Sequence, residues 1–178
     1  FGGQGNLLDR FLGLWSQGRI RQQQVHVPLD HGENVVKIVG HSAGGTLALW
    51  AAGRDGSVRP RGFLSLAGLT DLASCVEEDL LAGACSRVLG GTPAEVPDRY
   101  REASPAARLP TGRRQRLVHG IDDDIVPVRQ SQDYVALARA AGDPAEVVTV
   151  PNAGHFQLID IQHPAYGEVL TQISQLLN

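Results

Sequence analysis

Hydrophobic and polar positions divide this chain into two alternating patterns. Short, uniformly apolar runs predict buried strands at residues 35–39, 62–67, 116–119 and 146–150. Other stretches repeat their apolar positions every three or four residues. Over residues 6–23, Leu7, Leu8, Phe11, Leu12, Leu14 and Trp15 keep helical spacing, and Asn6 can cap the start. The small, apolar stretch 46–53 predicts a helix lying on a sheet. Residues 128–141 predict an amphipathic helix stopped by Gly142, and 164–177 a closing helix. Residues 26–34 are polar, contain Pro28 and Gly32, and predict a loop.

Between residues 69 and 112 the pattern loosens. A helix-like stretch over 77–89 is followed by Gly90-Gly91-Thr92-Pro93 and then by Pro97, Pro105 and Pro110. This is too long for a plain connection, so a partly helical, lid-like insertion is expected within one domain spanning 1–178. Apolar strands alternating with helices predict an α/β fold: a mostly parallel sheet with flanking helices on both faces.

Composition narrows the function classes. With 178 residues, 42% hydrophobic and 20% charged, the chain is long enough for a sizeable core and is not a disordered tail. A net charge of −3 leaves no electrostatic footprint for nucleic acid. The longest apolar runs fall far short of the roughly 18–20 residues of a membrane span. Cys75 and Cys85 are expected as two buried or loop thiols, with a disulfide as the lesser alternative. No Cys-x-x-Cys or His-x-x-x-His pair marks a metal site, and no cofactor is expected. The chain contains no Met and begins Phe1-Gly2-Gly3, which reads as a removed start or a piece of something longer. Nothing near Phe1 has the basic-then-apolar pattern of a signal peptide, so a cytoplasmic location is the expectation.

The sharpest motif is Gly40-His41-Ser42-Ala43-Gly44-Gly45. It contains Gly-x-Ser-x-Gly, follows an apolar strand and opens a helix of small residues, as a nucleophile elbow requires. Its strained turn excludes bulky side chains two residues before and after the serine, and Gly40 and Gly44 meet that demand. The alternative is a phosphate-binding or purely structural strand-to-helix turn. A serine hydroxyl needs a base, and the base an orienting acid. Asp122, Asp123 and Asp124 follow the third strand and His155 follows the fourth, both at carboxyl ends, where open α/β sheets place their sites.

From about residue 35 onward the chain resembles the C-terminal part of an α/β-hydrolase, whose triad runs in the order Ser, Asp, His. Within that superfamily, Gly-His-Ser-Ala-Gly-Gly is similar to carboxylesterases and kynurenine-formamidase-like hydrolases. Prolyl-oligopeptidase-group peptidases more often carry Tyr where this chain has Ala43. The segment His119-Gly120-Ile121-Asp122-Asp123-Asp124-Ile125-Val126-Pro127 matches the family pattern His-Gly-x-x-Asp-x-x-Val-Pro and selects Asp123. Gly154-His155-Phe156 resembles the loop of the catalytic histidine.

The resemblance implies Ser42 as nucleophile, His155 as base, Asp123 as its orienting acid and the Ala43 N–H as one oxyanion donor. Asp71, after the second strand, is the rival acid. His41 is expected to line the site or pack, and His119 to bond a loop. His26, His31 and His163 carry no expected role, and Trp50 and Phe156 are expected as core or pocket wall. The implied reaction is hydrolysis of a small carboxylic ester or amide through an acyl-enzyme, with no nucleic acid or membrane partner. An acyltransferase would use the same residues. The family's upstream His-Gly-Gly loop, which gives the second oxyanion N–H, has no full counterpart here, since Phe1-Gly2-Gly3 lacks the His. The N-terminal strands of the fold are therefore expected to be missing. A non-catalytic or incomplete relative serving as scaffold or binding module is the competing expectation.

Overall fold

The computed structural model describes residues 37–54 and 60–176. The helix expected over 6–23, the loop over 26–34 and Phe1-Gly2-Gly3 lie outside the described residues.

Four strands form one parallel sheet in the order β1-β2-β3-β4. They are β1 (Lys37–His41), β2 (Gly62–Leu66), β3 (Gln115–Gly120) and β4 (Ala145–Val150). Each lies within two residues of its predicted position. Consecutive residues of a strand face opposite sides, and in β3 Leu117 and Val118 enter different cores. Val118 joins Leu64, Leu66, Val150, Val169 and Leu176 on one face. Leu117 joins Leu49, Tyr134, Val135 and Ala138 on the other. Neither face of β3 meets water, which is why its six residues are all buried and show no polar alternation.

The helices α1 (Ala43–Ala52), α5 (Arg129–Ala140) and α6 (Ala165–Gln175) cover these faces. Helix α1 starts three residues before the predicted 46, directly after Ser42, because the elbow turns the chain into helix without a linker. Buried Arg116 on β3 ties α6 to the sheet through Gln172, Gln175 (2.7 Å) and the Glu146 carboxylate (2.9 Å).

The segment expected as an insertion contains α2 (Leu72–Glu77), a 3-10 turn (Leu80–Gly83), α3 (Ala84–Leu89), α4 (Pro97–Ala103) and a second 3-10 turn (Pro105–Arg108). The single helix expected over 77–89 does not form. Asp79, Leu81, Ala82 and Gly83 all adopt positive φ, so the chain breaks between α2 and α3. These pieces share a small core of Leu69, Leu72, Cys75, Cys85, Leu89 and Tyr100 that also takes in Val126 and Ile125. Cys75 and Cys85 are both buried free thiols. Among the described residues, no helix is long and apolar enough to cross a membrane.

Candidate active site

The site begins with a backbone constraint at the end of β1. Ser42 sits at φ 55°, ψ −121°, a conformation a non-glycine residue holds only under strain. Its amide donates to the Leu66 carbonyl (2.8 Å), and its carbonyl accepts from Thr46 (3.0 Å). A Cβ on Gly40 would lie 2.1 Å from the Gly44 carbonyl oxygen, so this turn cannot close around a larger residue. Gly45 and Gly68 are also tightly packed. A Cβ on either would lie 2.6 Å from Ser65 Oγ, which sets how closely α1 approaches the end of β2. The motif made Gly40 and Gly44 legible. Nothing in the sequence paired Gly45 with Gly68.

Asp123 and His155 are joined over the ends of β3 and β4. Asp123 Oδ2 accepts from His155 Nδ1 at 2.8 Å, and Oδ1 accepts from the amides of Ile125 (2.9 Å) and Val126 (2.8 Å). His119, fully buried, presents Nε2 to the Val126 carbonyl (2.8 Å) and lies 3.3 Å from Asp123 Oδ2. Its other nitrogen meets Ser131 Oγ at 2.7 Å. A carbonyl only accepts, so His119 Nε2 carries a proton. Burial alone would push the Asp123 carboxyl up. Hydrogen bonds from His119, His155, Val126 and Ile125 outweigh it and hold the group well below the usual carboxylate range. Asp123 therefore stays charged and acts as acceptor. A carboxylate only accepts, so His155 Nδ1 carries the proton of that bond.

The two loops are locked together. Ile121 and Asp122 donate to the carbonyls of Val150 (2.9 Å) and Ala153 (3.0 Å), and Gly120 packs so tightly that a Cβ would sit 2.1 Å from Ala153 O. Asn152 supplies the left-handed turn (φ 55°) after β4, a conformation asparagine tolerates.

The remaining candidates separate clearly. Asp71 caps α2, accepting from Ala73 (2.9 Å) and Ser74 (3.4 Å). Asp122 and Asp124 are exposed. Ala43 is the first residue of α1, where helix amides have no intrahelical acceptor. His41 does more than fill space: its Nε2 donates to the His155 carbonyl at 2.8 Å. Burial lowers its pKa to about 4 against the pull of that bond. Trp50 bonds the Glu102 carbonyl (2.9 Å) and stacks under Arg54. Phe156 is outside the core, 59% exposed, with its ring edge-on to His155 at 5.1 Å. Among the described residues, no hydrogen bond joins Ser42 Oγ to His155. Among the described residues, the hydrogen bond linking β1 to the His155 loop is that of His41. No cluster of three or more His, Cys, Asp or Glu is placed to hold a metal among them.

Residues 31–170 match the model of the prolyl oligopeptidase family. The chain belongs to that family. The match places this chain, with Ala43 after the serine, inside that family. A relative in Bacillus subtilis (strain 168), described as the uncharacterized peptidase YtmA, is 31% identical over 137 residues. That alignment covers 73% of this chain and 51% of the relative, so the chain spans about half the length of the curated protein it matches. Solved structures share the fold at low identity. An acylaminoacyl peptidase bound to Z-Gly-Gly-Phe-chloromethyl ketone aligns over 78% of this chain and 23% of its own (TM-score 0.65, 16% identity). A truncated carbohydrate esterase from gut microbiota covers 95% and 65% (TM-score 0.67, 20% identity). An esterase of Thermogutta terrifontis covers 79% and 53% (TM-score 0.59, 18% identity). The α/β-hydrolase fold and the serine hydrolase family follow from these matches and the four-stranded parallel sheet.

Proposed function

We propose that this chain carries the catalytic apparatus of a serine hydrolase acting on a small carboxylic ester or amide, the acyl chemistry of carboxylesterases and kynurenine-formamidase-like enzymes. The carrying observation is the His155–Asp123 pair. The 2.8 Å bond engages Nδ1 of His155 with the Asp123 carboxylate, in a loop tied to the residue that precedes a strained elbow serine.

In this reading Ser42 Oγ attacks the substrate carbonyl carbon as His155 Nε2 takes its proton. The carbonyl oxygen becomes an oxyanion, and the Ala43 N–H at the start of α1 faces it. Collapse expels the alcohol or amine, which receives the proton from His155, and leaves an acyl-Ser42 ester. Water, deprotonated by the same nitrogen, then hydrolyses the ester and restores the enzyme. Asp123 holds the imidazole in one tautomer and stabilises its charged form.

The test is fluorophosphonate labelling of the purified chain beside turnover of short p-nitrophenyl esters. Stoichiometric labelling, absent from Ser42→Ala and from His155→Ala, supports the proposal. Labelling that persists in Ser42→Ala, or a chain that neither labels nor turns over ester, refutes it.

A further inference from the structure

β1 and β4 are the outer strands of the described sheet. Three inter-strand spacings separate them, roughly 14 Å. The serine follows one and the histidine follows the other, so the β4 loop must cross back over the ends of β3 and β2. On the acid side that loop has several anchors: the Ile121 and Asp122 amides, the Gly120 contact and the Asp123–His155 bond. On the nucleophile side, among the described residues, one hydrogen bond holds it. His41 Nε2 donates to the His155 carbonyl at 2.8 Å across a sequence separation of 114.

A residue needed only for volume would not be histidine. His41 is 5% exposed, and its second nitrogen, Nδ1, is buried without a partner. Such an orphan polar atom keeps the desolvation cost of burial with no bond to offset it. Phenylalanine would fill the space and pack equally against the rings of His155 (4.7 Å) and Phe156 (6.0 Å) without it. What phenylalanine lacks is the Nε2–H.

We infer that His41 is a positioning residue for the general base: its Nε2–H clamps the backbone of His155 to the nucleophile strand and holds the imidazole within reach of Ser42. This rests on the hydrolase reading above and assigns a task to the residue between Gly40 and the nucleophile. His41 transfers no proton, and its buried ring does not meet substrate, so the clamp governs kcat and leaves KM alone.

The variants that separate donor from volume are His41→Phe, which keeps a ring, and His41→Gln, which keeps an N–H at similar reach. Ester kinetics and fluorophosphonate labelling rates are measured for both beside the unaltered chain, with melting midpoints as the fold control. His41→Phe is expected to lose roughly 10- to 100-fold in kcat, the scale set by misplacing a reacting group by about 1 Å, with KM within about two-fold. His41→Gln is expected to stay within about three-fold of the unaltered chain. Amide hydrogen exchange over residues 151–157, which requires no activity, is expected to quicken in His41→Phe and not in His41→Gln. Unchanged kcat and exchange in His41→Phe would overturn the inference. So would His41→Gln impaired as severely as His41→Phe, because volume and not the donor would then matter. An unaltered chain that does not label is a different failure: it removes the hydrolase reading, and the clamp falls with it.

Discussion

Acid should destabilise this chain through His41, by an amount the structure sets. The ring is buried beside His155, Asp123 and His119, and burial is the main reason its pKa falls from 6.5 to about 4. The unfolded chain binds a proton at this residue below pH 6.5, whereas the folded chain resists doing so until about pH 4. Between those values the unfolded state therefore holds more protons, and stability falls as the pH falls. The contribution is fully present above pH 6.5. Lost completely, it amounts to about 3 kcal/mol, of which about 2 kcal/mol disappears between pH 7.5 and pH 5. Urea unfolding of the unaltered chain and of His41→Gln at pH 7.5, 6.5, 5.5 and 5 isolates the effect, because other titrating groups are common to both. His41→Gln should lose about 2 kcal/mol less over that range. Parallel stability curves would refute the reasoning: His41 would then take up its proton in the folded state without penalty.

Three further outcomes follow from the site geometry. Asp123→Asn keeps the shape but replaces an acceptor that fixes the His155 tautomer, so labelling of Ser42 should slow by about 10⁴-fold with the fold retained by circular dichroism. Gly40→Ala places a Cβ 2.1 Å from the Gly44 carbonyl oxygen, a backbone atom that cannot step aside. It should lower stability by about 3 kcal/mol or more and abolish labelling, measured by thermal melt and probe. Ser65→Ala should raise the unfolding free energy measured in urea by about 1 kcal/mol, since Ser65 Oγ is buried with no hydrogen-bond partner. A clear loss of stability there would mean the hydroxyl makes a bond that the structure does not contain.

Much of the site was legible because its signals are local. Gly40, Ser42 and Gly44 lie within five residues, and steric exclusion in one turn dictates their spacing. The Asp123 turn was legible for a similar reason. Asp123 accepts the amides two and three residues ahead, a turn that one nine-residue motif encodes. The helix break between α2 and α3 was not legible: Leu81 and Ala82 are ordinary helix formers forced into positive φ by their surroundings. Nor was the exposure of Phe156, since an aromatic beside a histidine looks the same in sequence whether its far side meets protein or solvent.

Taken alone, the sequence determined the strand positions, the parallel α/β architecture and the tight glycine-serine turn after the first strand. Those features follow from periodicity, turn sterics and chain order, which short-range physics sets. Only the tertiary structure decided which groups touch. It removed Asp71 by making it a helix cap, turned His119 into a buried support for Asp123 and paired Gly45 with Gly68. It also brought His41 to the His155 carbonyl across the width of the sheet. Such contacts depend on how strands are ordered side by side, and no local pattern along the chain records that distance.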